Sequence, residues 1–192
     1  EPRQLDGSGR LWSPGVRWDV APGSWFHLTE CFGPVLGVMR ADDLDHAIAL
    51  QNAPEYGLTG GIHSLDPMEI DQWLAEVQVG NAYVNRHITG AIVQRQPFGG
   101  WKRSSIGGGP KPGGPGHLHG YGTWHARSID VGAARESFRR AWATRFGIET
   151  DATGLRSERN VLRYRPLDGV VIRLGPQISP AEREILEVAV GR

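Results

Sequence analysis

Cysteine is almost absent: one residue, Cys31, stands in 192. A single thiol cannot close an internal disulfide, which points to a reducing compartment such as the cytoplasm. Charge of one sign is absent too, because 21 basic residues balance 21 acidic ones. Neither nucleic acid nor an anionic membrane is offered a field to respond to. Long apolar runs are missing; the ones present are broken by Gly or Pro, so no segment has the length of a membrane span. There is no charged-then-apolar leader and no internal repeat. The first residue is Glu1, not Met, and residues 1–10 form a polar opening with no element to anchor it. The other end stops within a helical pattern at residues 185–189. Both ends read as cuts through a longer polypeptide.

What remains is ordinary for a globular domain: 39% hydrophobic and 22% charged residues. Residues 16–20 alternate as a half-buried strand, and residues 34–39 form a short apolar one. Asp42 is placed to cap a helix through Leu44 and Ile48 that ends near Ala53-Pro54. Residues 58–63 are strand-like. Asp66-Pro67-Met68-Glu69 then opens a helix with Ile70, Trp73, Leu74 and Val77 on one face, and residues 80–85 form another strand. This alternation suits crossovers onto a largely parallel sheet, an α/β fold.

Residues 88–122 lose all periodicity and become dense in Gly and Pro, as functional or disordered loops do. Beyond them, Ala134, Phe138, Ala141, Trp142 and Phe146 mark an amphipathic helix that Gly147 can end. Residues 160–165 and 170–174 flank Pro166-Leu167-Asp168-Gly169 as a hairpin would. Ser179-Pro180-Ala181-Glu182 is a capping box for a last helix.

Side-chain chemistry alone names no reaction. Cys31 sits between a carboxylate and an aromatic ring, neighbours that favour an inert, buried thiol over a nucleophile. The seven histidines show no ligand spacing, so no metal site is assigned. Gly107-Gly108-Gly109 lacks the lysine-serine pair of a phosphate loop, and Lys102-Arg103 is too short for a nucleic-acid patch.

Two stretches add a resemblance. Glu30-Cys31-Phe32-Gly33-Pro34-Val35 resembles the E-x-F-G-P-V segment of the aldehyde dehydrogenase superfamily. Residues 80–86, Thr89-Gly90-Ala91, Gln96-Pro97-Phe98-Gly99-Gly100 and the Gly-Pro-Lys-Pro-Gly-Gly-Pro run at 109–115 resemble its L-glutamate γ-semialdehyde (Δ1-pyrroline-5-carboxylate) branch. Two separated motifs in register make the match specific. The chain departs from the branch at Ser104-Ser105 and in its extra glycines at 107–109.

The resemblance implies roles. Glu30 would bind the nicotinamide-ribose hydroxyls of NAD, and Phe32 would pack beside the nicotinamide. The backbone N–H groups of Gly90 and Ala91 would hold the substrate α-carboxylate, and Phe98 would pack on its aliphatic chain. Each has a plainer reading: a surface carboxylate, core packing, a turn, a loop anchor. The family's catalytic cysteine attacks the aldehyde, hydride passes to NAD, and water releases the acid. That cysteine lies further upstream than the 29 residues preceding Glu30 allow. On this reading residues 1–126 are the C-terminal part of a dehydrogenase domain, inactive without the N-terminal part of the same polypeptide. Residues 127–192 form an α+β extension of helix, hairpin and helix. They resemble the region after the dehydrogenase in bifunctional proline-utilisation proteins, where FAD belongs to a separate proline dehydrogenase domain. Residues 121–129 are the candidate oligomerisation segment of a homo-oligomeric parent. A non-catalytic α/β binding or assembly module, or a subunit that lends this half to another chain, are the alternatives.

Overall fold

The computed structural model describes residues 2–90, 92, 95–105, 110–125 and 130–191. Ala91, Gly107 to Gly109 and positions 126–129 of the proposed oligomerisation segment lie outside the described residues. The chain forms two compact units, residues 1–91 with 98–117, and residues 92–97 with 118–192.

In the first unit, β1 (Gly15–Arg17) pairs in parallel with β2 (Val35–Gly37), and α1 (Trp25–Leu28) lies between them in sequence. Next come α2 (Leu44–Asn52), β3 (Tyr56–Gly57), β4 (Thr59–Ile62), α3 (Pro67–Glu76), β5 (Asn81–Val84) and β6 (Trp101–Lys102). β4 pairs in parallel with β5 across the α3 crossover, from Thr59↔Asn81 to Ile62↔Val84. β3 pairs antiparallel with β6. The α/β alternation holds, with one correction. Among the described residues the strands form three separate pairs, not one continuous parallel sheet.

The helices start where their side chains can cap them. Asp66 accepts from the Met68 amide at 2.8 Å, with Pro67 at the first helical position. For α2 the cap is Asp43, not Asp42: Asp43 accepts from the His46 amide at 2.8 Å, while Asp42 meets the His46 ring. α2 and α3 bury Ile48, Trp73 and Val77, with Leu44, Ile62, Leu74, Val79 and Val84 packed around them. The Trp73 indole N–H donates to Gln51 Oε1 at 2.7 Å, satisfying the polar edge of a ring that is 2% exposed. The opening residues are anchored after all. Gln4 bridges Trp12, and the Leu5 amide donates to the Leu11 carbonyl.

In the second unit α4 (Val131–Ala141) is capped by Asp130 and continues as one π-helical stretch, Trp142–Phe146, before Gly147. It packs on α5 (Pro180–Ala189), whose Ser179–Glu182 capping box forms in full. α5 ends at Ala189, with Val190 as its cap, so the helical pattern closes before the last residue. A 3-10 turn spans His117–Tyr121. The hairpin expected at 160–174 does not form. Leu162 pairs instead with Thr150, and Leu167, Val170 and Val171 are exposed. Two strands with nothing packed on their apolar side are marginal. None of the described residues of this unit is fully buried; the buried hydrophobic residues all lie in the first.

Candidate functional site

Helix α1 leads into the Glu30–Phe32 segment, and one histidine fixes its position. His27 Nδ1 accepts from the Gly23 amide and Nε2 donates to the Leu50 carbonyl, both at 2.9 Å, so the ring joins α1 to the end of α2. Beyond it, Glu30, Cys31 and Phe32 are all exposed. Phe32 is 90% exposed and has φ +44°, a left-handed conformation that costs a non-glycine residue about 1–2 kcal/mol. The core-packing reading of Phe32 therefore fails among the described residues. Its ring is displayed on a strained backbone, the kind of outlier that motivates a functional hypothesis. An open groove bounded by Pro14, Val16, Gly33, Pro34 and Leu36 adjoins the segment. An exposed carboxylate two residues from an exposed flat ring suits a ligand carrying both a diol and a heteroaromatic ring.

Cys31 corrects a prediction: it is exposed, not buried. Its thiol donates weakly to the Thr29 carbonyl at 3.6 Å, and no base stands in that contact. The expectation that Cys31 is no nucleophile thus rests on its partner, not on burial.

The second set of residues gathers around β5. Gly90 is exposed at φ +78°, and among the described residues no heavy atom outside its chain neighbours lies within 4 Å of where a side chain would stand. Its carbonyl accepts from the Tyr83 hydroxyl at 2.8 Å. Phe98 is half-buried, and its amide donates to the Pro112 carbonyl at 3.3 Å. The next amide, of Gly99, donates to Asn81 Oδ1 at 3.1 Å. Lys111 Nζ donates to the Gly80 carbonyl. Burial lowers the pKa of Lys111, and burial raises that of Tyr83 against the opposing pull of Arg86. β5 and the residue preceding it thus hold both arms of the predicted substrate anchor.

Asn81, Tyr83 and Lys111 were not among the predicted site residues, although the quoted motifs contain them. Their contacts reach 7 to 31 residues along the chain to backbone atoms, which residue spacing does not reveal. Among the described residues, no group of three His, Cys, Asp or Glu side chains is placed to hold a metal, and no helix is long and apolar enough to cross a membrane.

Comparison with known proteins gives this geometry a context. A 1-pyrroline-5-carboxylate dehydrogenase from Geobacillus is 43% identical over 113 residues, 59% of this chain and 22% of that protein. The structure of Proline Utilization A from Corynebacterium freiburgense is 48% identical, with a TM-score of 0.85 over 98% of this chain and 21% of that one. A 1-pyrroline-5-carboxylate dehydrogenase from Thermus, solved with bound NAD, is 40% identical with a TM-score of 0.56 over 61% of this chain and 22% of that one. The chain therefore spans about a fifth of the length of each of these relatives. The sequence pattern of the aldehyde dehydrogenase family matches residues 1–126, all of the first unit and the segment that carries Glu30, Phe32, Gly90 and Phe98; the chain belongs to the aldehyde dehydrogenase family.

Proposed function

We propose that this chain is the C-terminal part of a dehydrogenase that oxidises L-glutamate γ-semialdehyde to L-glutamate with NAD. The observation that carries the reading is the pair Gly90 and Phe98. Gly90 is an open backbone position where an anion can approach closely, and Phe98 is an aromatic residue; both loops are fixed to β5. A substrate with a carboxylate at one end and a short aliphatic chain matches that pair. Ala91 adds a second backbone donor on this reading. Identity to proteins named 1-pyrroline-5-carboxylate dehydrogenase supports it.

NAD, when bound, supplies the hydride acceptor. Glu30 accepts hydrogen bonds from its ribose hydroxyls, and Phe32 covers one face of the nicotinamide and excludes water there. The exposure of both side chains fits this task. The 192 residues alone do not turn over, because their sole thiol faces a backbone carbonyl rather than a base. Catalysis uses the remaining part of the dehydrogenase, in a reducing cytoplasm.

Residues 1–126 belong to the dehydrogenase domain on this reading, and 127–192 extend it. The parent is bifunctional, with FAD confined to a proline dehydrogenase domain. The similarity to Proline Utilization A over 98% of the chain, extension included, supports that parentage. Residues 121–129 are our candidate oligomerisation segment, and the exposure of Tyr121 and Trp124 suits burial against another copy.

The test joins this chain to the upstream part of the Corynebacterium protein and follows NADH with glutamate semialdehyde. The joined protein forms NADH and the separate chain forms none. NADH from the separate chain overturns the claim of inactivity. A silent joined protein, where the intact relative is active, overturns the assignment.

A further inference from the structure

We propose that Tyr83 is a positioning residue for the substrate carboxylate, acting through the Gly90 carbonyl. The inference rests on the proposed function and names the residue that makes its anchor rigid.

Tyr83 is 3% exposed and lies in register with Gly61 in the β4–β5 pair, so its ring has a fixed origin. The Arg86 guanidinium stands 5.3 Å from the ring centroid, covering one face. From there the hydroxyl donates at 2.8 Å to the carbonyl of Gly90, seven residues on. Burial raises the phenol pKa, so the donor keeps its proton at neutral pH.

Whatever fixes the Gly90 carbonyl pins the backbone of Gly90 itself, the residue whose own N–H the anion would meet. Gly90 has no side chain, and among the described residues outside its chain neighbours nothing stands within 4 Å of where one would be. Without a tether, such a glycine samples many peptide orientations. The hydroxyl removes that freedom before substrate arrives, and a preorganised donor binds its anion without an ordering cost.

The conservative variant Tyr83→Phe keeps the ring and removes the tether. In the 192-residue chain, the 15N order parameter of the Gly90 amide falls in Y83F while those of α2 and α3 do not change. In the joined dehydrogenase, KM for glutamate semialdehyde rises about tenfold, the worth of one ordered hydrogen bond. KM for propionaldehyde, which lacks the carboxylate, does not change, and kcat for either aldehyde moves little. An unchanged Gly90 order parameter overturns the proposal, as does equal loss with both aldehydes. If the joined wild-type protein forms no NADH, the proposed function fails instead, and the order parameter still decides whether Tyr83 orders Gly90.

Discussion

Lys111 reaches from the glycine-rich loop to donate its Nζ proton to the carbonyl of Gly80, the residue that leads into β5. The contact closes a three-layered crossing. The Lys111 stem lies against Gly99, and Gly99 lies against Gly80 so closely that a Cβ on Gly80 would stand 1.8 Å from the Gly99 carbonyl oxygen. Asn81 Oδ1 holds the Gly99 amide on the same side. Loop and strand therefore meet backbone to backbone, which makes a long glycine-rich loop a defined support for Phe98.

Gly80→Ala tests that crossing. The new methyl runs into one backbone peptide, with the Gly99 carbonyl oxygen at 1.8 Å and Gly100 Cα at 2.7 Å. No flexible side chain can yield, so the loop must lift. A loss of about 3 kcal/mol or more is expected, at or above the usual cost of overpacking. Urea unfolding of the 192-residue chain measures it; a midpoint equal to wild type rules out the close approach.

Lys111 also gives the first unit a dependence on pH. Burial lowers its pKa below the ordinary 10.5, so the folded chain holds fewer protons than the unfolded chain in the window just beneath that value. Stability then rises with pH through the window, because the cost of burying the cation disappears as it deprotonates. Lys102 is lowered by burial as well and donates to the Pro54 carbonyl at 3.0 Å, so it contributes to the same slope. Lys111→Met keeps the stem and removes the charge. Urea midpoints measured as pH approaches 10.5 from below should rise less steeply in K111M than in wild type; parallel slopes refute the assignment.

Much of this was legible where the chemistry is local. Asp66-Pro67 and Ser179-Pro180 announced their helices because a capping side chain bonds an amide two or three residues away. Asp42 and Asp43 are equal candidates by the same chemistry, and only the fold chooses between them. β3 and β6 pair through two residues each, too short for any periodicity, across a loop that held no pattern. The hairpin at 160–174 failed because turn residues state where a chain can reverse, not whether a partner face exists to bury its strands. Glu30, Phe32, Gly90 and Phe98 were proposed through motif register. The side chains that support them act on distant backbone atoms, and those contacts required coordinates.

The small core of the first unit makes it sensitive to Trp73. The ring fills the α2–α3 interface with Ile48 and Val77, and its indole N–H is paired to Gln51. Trp73→Ala loses both packing and partner and should cost about 3–5 kcal/mol, enough to unfold a marginal unit. Trp73→Phe keeps most of the packing and should cost less. Equal midpoints for the two variants would show that the hydrogen bond, not the packing, dominates.

In the second unit, Asp151 organises the turn before residue 160. Its carboxylate accepts from the Thr153 hydroxyl at 2.7 Å and amide at 2.9 Å, the Asn160 amide at 3.0 Å and the Gly154 amide at 3.3 Å. The Thr153 hydroxyl is the largest cause of a pKa drawn down from 3.8 to about 2. A depressed carboxylate stabilises the fold fully above its unfolded value and loses that contribution as pH falls through the folded one. Protection factors at Thr153 and Asn160 should therefore fall between pH 4 and 2. Asp151→Ala should show low protection at every pH, and pH-independent protection in wild type would contradict the account.

On the proposed reading, Phe32 sets stability against function. Its φ of +44° suits glycine, and its ring is 90% exposed, so the free chain gains little from the side chain and bears the backbone strain. Phe32→Gly relieves the strain at some cost in unfolded-state entropy, leaving a net gain of about 0.5–1 kcal/mol in the chain. In the dehydrogenase formed with the upstream part, the same variant should raise KM for NAD if Phe32 packs on the nicotinamide as proposed. Urea midpoints and NAD titrations read the two effects separately. A variant that loses stability as well as NAD affinity would make Phe32 a packing residue, whereas opposite signs identify strain retained for the cofactor.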